Sequence, residues 1–119
     1  MTYCVGLLLN DGIVMLSDTR TNAGLDNIAT YRKMFHFESS GERVISIVTA
    51  GSLSVTQTTI ARLREAIEDQ DATEETSILK APTMLKVASI IGDTLCKVRL
   101  EIDEKLATMK QGASASMIV

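Results

Sequence analysis

Tryptophan is absent from this chain, and two Tyr and two Phe are its only aromatic side chains. That is too few for a surface on which nucleic-acid bases could stack. With aromatics at 3%, the core must be aliphatic, built from Val, Ile, Leu, Ala and Met. The two cysteines, Cys4 and Cys96, lie far apart in sequence and share no metal-ligand spacing. They read as free thiols of a reducing compartment. No apolar run approaches the roughly 18 residues needed to cross a bilayer. No basic stretch leads into an apolar one, so a secretory signal is not expected. The net charge of -3 offers no attraction to polyanions. These absences together predict a cytoplasmic protein with neither nucleic acid nor membrane as partner.

What is present is a change of period. Hydrophobic residues make up 45% of the 119 positions and charged ones 23%, an ordinary globular balance. Residues 2–9 read as a strand, Asn10-Asp11-Gly12 as a hairpin turn, and residues 13–17 as the returning strand. Residues 18–30 are polar and contain Gly24, so they read as a loop. Residues 32–38 alternate and predict a third strand, Ser39-Ser40-Gly41-Glu42 a turn, and residues 44–50 a fourth strand. His36, the one histidine, falls in the third strand and reads as a surface or half-buried residue, not as a base.

From there the period becomes that of a helix. Leu53, Thr56, Ile60, Leu63 and Ile67 share one face, with Ser52 or Ser54 as N-cap. Residues 69–77 form an acidic connector, and Pro82 stands at a position tolerated in a helical first turn. Met84, Val87, Ile91, Leu95, Val98, Ile102, Leu106 and Met109 then recur at intervals of three and four up to Gly112. Residues 113–119 read as the start of a further strand. The expectation is an α+β chain with strand hairpins over 2–50 and helices over about 52–70 and 82–111.

Two details predict a larger domain. Val5, Leu7 and Leu9 alternate with Gly6 and Leu8, so the first strand has no polar face; Ile45 and Ile47 alternate with Val44 and Val48 in the same way. Strands apolar on both faces need a layer on each side. Two helices supply one layer, and the chain stops at Met117-Ile118-Val119 within a strand-like run. The 119 residues are therefore expected to be the front part of one domain, or else to pack on a partner chain.

Thr2 follows the initiator Met1, and methionine is usually trimmed before a small residue. Its removal would leave a hydroxyl and a free amine on one residue, a nucleophile carrying its own base. Thr2, Asp18-Thr19-Arg20 with Ala23-Gly24, Arg32-Lys33-Met34 and Ala50-Gly51-Ser52 occur in the order and spacing of β-type proteasome subunits, which are N-terminal nucleophile hydrolases. The opening Met-Thr-Tyr-Cys-Val-Gly and the Thr-Asn-Ala-Gly after Arg20 resemble the bacterial proteasome-related Anbu family more closely, over essentially the whole chain.

The resemblance implies a four-layer α-β-β-α sandwich, of which this chain would supply one antiparallel sheet and its two helices. It implies a threonine-type peptidase or amide hydrolase that acts on peptides or unfolded proteins and self-associates into rings or ring-like stacks, with any unfoldase partner unidentified. Thr2 would be nucleophile and base, Lys33 would tune the amine, Asp18 would orient Lys33, and the Gly51 N–H would bind the oxyanion. Arg20 would brace the Asp18 loop, and Asn22 would pair its backbone with the substrate. Family members carry Thr where Asn22 stands, and the interval from Asp18 to Lys33 is one residue shorter here. The supporting Ser and Asp residues of the family's second half would lie beyond Val119, so the site within this chain is expected to be incomplete. Each position also has a plainer reading: Asp18 as a turn residue, Lys33 as a solvated edge charge, Gly51 as a strand-to-helix turn. The alternative function is a non-catalytic ring-forming scaffold subunit of the same fold; a third is a small-amide hydrolase.

Overall fold

The computed structural model describes residues 1–22, 28–107 and 113–119. Its elements run β1 Cys4–Leu9, β2 Gly12–Ser17, β3 Arg20–Asn22, β4 Ile28–Thr30, β5 Met34–Ser39, β6 Arg43–Gly51, α1 Leu53–Glu68, α2 Met84–Leu106 and β7 Ala115–Ile118. The chain is α+β, with antiparallel hairpins followed by two helices. It divides into two compact units, one of Met1–Ala50 with Ser116–Val119 and one of Gly51–Ala115.

In the first unit β1 and β2 pair antiparallel from Cys4 opposite Ser17 to Leu9 opposite Gly12. The loop is therefore the two residues Asn10 and Asp11, with Gly12 at a φ of 150° as the first residue of the returning strand. The expected single sheet is instead three by hydrogen bonding: β1-β2, β3-β4 and β5-β6-β7. The third strand starts at Met34, two residues later than its pattern predicts. In β5-β6, Phe35 stands opposite Ile47 and Phe37 opposite Ile45. Phe37, Ile45, Ile47 and Val48 are buried. The turn between them has Gly41 at a φ of 71°, in the left-handed region that favours glycine. It is closed by Glu42 N donating to Ser39 O and by the Ser39 hydroxyl donating to the Glu42 carboxylate.

The first hairpin leaves its apolar side chains uncovered within this chain, which reads as lacking one of the layers such strands need. Leu7, Leu8, Leu9, Ile13, Val14 and Leu16 are all exposed, and so is Val44 in β6. Residues 18–30 also correct the sequence reading. Part of that polar stretch is the short hairpin β3-β4, with Arg20 opposite Thr30 and Asn22 opposite Ile28. Three-residue strands leave no periodicity to read. Ala23 and Gly24 lie outside the described residues.

In the second unit the cap of α1 is Ser52, but its hydroxyl meets that of Ser54 instead of a helix N–H. The buried face of α1 is Val55, Thr56, Thr59, Ile60 and Leu63, which is rotated from the predicted stripe; Leu53 is exposed and Ile67 half-buried. Two threonines can be buried because the Thr56 and Thr59 hydroxyls donate to the carbonyls of Ser52 and Val55, four residues back. Pro82 precedes α2 instead of opening it. Thr83 is the N-cap, and its hydroxyl accepts from Lys86 N at 3.2 Å. Along α2, Val87, Ile90, Ile91 and Val98 are buried, Leu95, Ile102 and Leu106 partly so, and Met84 is exposed. Met109 and Gly112 lie outside the described residues. Val98 joins Val55 and Ala113 in one apolar cluster, and Arg62 on α1 forks the Glu101 carboxylate on α2 at 3.2 and 2.5 Å.

Candidate active site

The β1-β2 ladder does not stop at its last strand pair. Asp18 N donates to Tyr3 O at 3.0 Å, and Tyr3 N donates to the Asp18 carboxylate at 2.9 Å. The Asp18 side chain thus takes the place of a strand carbonyl and holds the chain start beside the end of β2. The other carboxylate oxygen accepts from Arg20 N at 3.1 Å, an Asx-type turn two residues on. Those two backbone bonds leave the carboxylate aimed at one further donor, the Lys33 ammonium.

Lys33 stands one residue ahead of β5, and it is buried, at 6% exposure. A lysine so covered must have all its donors engaged. Its Nζ lies 3.0 and 2.9 Å from the two Asp18 oxygens, 2.6 Å from Arg20 O and 3.1 Å from Thr2 Oγ1. Carboxylate, carbonyl and hydroxyl are three partners for the three N–H bonds of an ammonium. The Lys33 backbone is fixed as well: its carbonyl accepts from Thr49 N at 2.9 Å and from the Thr49 hydroxyl at 3.2 Å. Thr49 O in turn accepts from the Cys4 thiol at 3.5 Å.

The electrostatics follow from these contacts. The Tyr3 N–H, then the Lys33 ammonium and the Arg20 N–H, hold the Asp18 carboxyl down at about 2 from its ordinary 3.8. Burial pushes the Cys4 thiol up, and the Asp18 charge adds to this against the opposing Lys33. Cys4 therefore stays a protonated, donating thiol at neutral pH.

Three of the sequence-derived residues, Thr2, Asp18 and Lys33, thus come together. Arg20 joins them through its backbone: its side chain is exposed, while its N–H and C=O touch Asp18 and Lys33. Asn22 pairs its backbone with Ile28 at the end of β3; its side chain lies outside the described residues. Gly51 ends β6 in the second unit at a φ of 103°. His36 is exposed and its ring nitrogen meets the Ser46 hydroxyl across the β5-β6 ladder at 2.8 Å. Among the described residues no group of three or more His, Cys, Asp or Glu side chains could hold a metal, and no helix is long and apolar enough to cross a membrane. Sequence reasoning missed the Tyr3 N–H and the Arg20 carbonyl, because a peptide group has no residue signature.

Chemically, Lys33 is an acid-form cation against a hydroxyl, with no lone pair free to act as a base. The Thr2 nitrogen is an amide while Met1 is attached, and Met1 is fully exposed at 105%. Removal of Met1 would turn that nitrogen into an amine, which can act as a base.

No family model matches the chain, and no curated protein matches it. Solved structures do. An Anbu protein of Pseudomonas aeruginosa, described as a helical assembly of the Anbu complex, is 36% identical with a TM-score of 0.85 over 98% of this chain and 46% of its own. A Gly-1 mutant of Anbu from Hyphomicrobium sp. strain MC1 is 33% identical with a TM-score of 0.81, over 98% of this chain and 45% of its own. Anbu of Yersinia bercovieri, described as an ancestral β-subunit, is 34% identical with a TM-score of 0.76, over 87% of this chain and 42% of its own. The chain thus spans somewhat less than half the length of each.

Proposed function

Because the chain belongs to the Anbu family, we propose that it carries the nucleophile region of a threonine hydrolase of the proteasome β-subunit type. The observation that supports this best is the Lys33 ammonium at 3.1 Å from Thr2 Oγ1 while clamped on Asp18 and the Arg20 carbonyl. A solvated edge lysine would have no such enclosure.

Removal of Met1 frees the Thr2 amine, whose ordinary pKa of about 7.7–8.0 suits a general base near neutral pH. Lys33 lowers that pKa by like-charge repulsion and keeps the amine neutral. The amine takes the hydroxyl proton as Oγ1 bonds to the scissile carbonyl carbon. The oxyanion is held by the Gly51 N–H, and a substrate strand lies along the backbone at Asn22. Collapse breaks the C–N bond, and the new ammonium returns the proton to the leaving amine. Water, deprotonated by the same amine, then hydrolyses the ester. Asp18 keeps Lys33 charged and in place, and no metal or organic cofactor takes part. The proposed fold is the four-layer α-β-β-α sandwich. Self-association is supported by the helical assembly of the Pseudomonas complex.

Intact mass tests the first step, and a Thr2→Ala variant tests the nucleophile against peptide and small-amide substrates. Loss of Met1 with abolished hydrolysis in Thr2→Ala is the expected pair of results. Hydrolysis that survives Thr2→Ala would overturn the assignment. A retained Met1 leaves Thr2 without an amine and favours the scaffold reading.

A further inference from the structure

The chain start carrying Thr2 and β1 is tied twice to the segment carrying Lys33. One tie is the Lys33 ammonium itself. The other avoids it: the Cys4 thiol donates to Thr49 O at 3.5 Å, and Thr49 gives both its N–H, at 2.9 Å, and its hydroxyl, at 3.2 Å, to Lys33 O. Cys4 opens β1, two residues after Thr2. Thr49 is 2% exposed and Lys33 6%, so water is not at hand to replace the bonds between those two residues.

The geometry points to Thr49 as the positioning residue that holds Lys33 at its working distance from Thr2, with Cys4 as its strut from β1. This rests on the hydrolase reading only for what the distance is used for. A lysine side chain has four rotatable bonds, and its ammonium can be placed reproducibly only if its backbone is fixed. Met34 opposite Val48 is the last β5-β6 pair, so Lys33 stands just outside the strand, where a peptide would otherwise be free to rock. A single N–H bond leaves that rotation open, whereas two donors from one residue occupy both lone pairs of the carbonyl and fix its plane. Thr49 touches neither the hydroxyl nor a reacting atom; it acts through Lys33. The Cys4 thiol, pushed up by burial, remains the proton donor this arrangement needs.

The test uses the Met1-free protein, verified by mass, with ¹⁵N-threonine labelling to titrate the Thr2 amine by NMR. Thr49→Val keeps the shape and the backbone N–H but deletes the hydroxyl. The expected result is an amine pKa raised by about half a unit, because the like charge of Lys33 recedes. Where hydrolysis is measured, its pH profile should shift the same way, with kcat reduced and KM unchanged. Thr49→Ser should restore both, and Cys4→Ala should give a smaller shift of the same sign. A merely structural Thr49 would lower the melting temperature and leave the amine pKa where it was; that result, in Thr49→Val or in Cys4→Ala if the former does not fold, overturns the proposal. Wild-type protein that hydrolyses nothing would sink the hydrolase reading, while the amine titration would still decide whether Thr49 positions Lys33.

Discussion

Replacing Gly51 by alanine should be the most damaging glycine-to-alanine change among the described residues. Gly51 has a φ of 103°, a region that costs an L-residue about 1–3 kcal/mol. The added Cβ would stand 2.4 Å from Ser114 O, 2.8 Å from Ala115 Cα and 3.2 Å from Ser114 C, all backbone atoms. No side chain can swing aside to relieve this, so the segment entering β7 must shift by several tenths of an ångström. That segment also accepts the bond from Ser52 N to Ser114 O at 2.7 Å, whose loss costs about 1 kcal/mol. Strain, displacement and the lost bond together amount to about 3–5 kcal/mol. In a chain of this size that is a fall in melting temperature of about 10 °C or more. Thermal and urea unfolding followed by circular dichroism measure it directly. A Gly51→Ala protein melting within about 2 °C of the parent would refute the close approach of β7. The result also bears on function. Lost hydrolysis in this variant would not establish an oxyanion donor, because the fold is damaged too; only kcat per folded molecule speaks to that role.

Three other outcomes follow from particular contacts. The Asp18 pKa is depressed from 3.8 to about 2, so its stabilising contribution is complete above about pH 4 and is lost as pH falls toward 2; melting temperatures between pH 5 and 2 should drop more steeply in the parent than in Asp18→Asn, and parallel curves would contradict the holding of this carboxylate by the Tyr3 N–H and the Lys33 ammonium. Ile47 is fully buried at 0% exposure, so Ile47→Ala should cost about 2–5 kcal/mol in urea unfolding, against about 0.5–1.5 for Ile47→Val. The Thr83 hydroxyl caps α2, so Thr83→Ala should cost about 1 kcal/mol and Thr83→Ser almost nothing.

The order of elements was legible because each carried its own local rule. Asn10-Asp11-Gly12 and Ser39-Ser40-Gly41-Glu42 mark turns by backbone freedom, and both lie where strands reverse. The helical stripes located α1 and α2; that of α2 faces the core as read apart from the exposed Met84, while that of α1 is rotated. A hydropathy pattern treats Thr59 as polar, yet its hydroxyl is satisfied within the helix and the residue is fully buried. Pro82 drew the α2 start one or two residues early because the Thr83 cap competes with it for the same turn. The short β3-β4 hairpin could not be read, since three residues show neither period. At the site, Thr2, Asp18 and Lys33 were visible as residue types in a familiar order. Their cohesion was not, because half of it is backbone: the Tyr3 and Arg20 N–H groups on Asp18, the Arg20 carbonyl on Lys33, and the doubly bonded Lys33 carbonyl.

That mixture of partners explains why a lysine stands at position 33. Its ammonium addresses a carboxylate, a peptide carbonyl and a hydroxyl, converging from three directions on one nitrogen. A tetrahedral point charge with three donors can meet all three; the planar fork of an arginine could take the Asp18 carboxylate but not turn a donor out of its plane toward Thr2. Because every N–H is engaged, the cation is fixed in position and has no lone pair to offer. On the proposed reading, proton transfer from the Thr2 hydroxyl falls to the nitrogen of Thr2 itself, which the removal of a fully exposed Met1 would make basic.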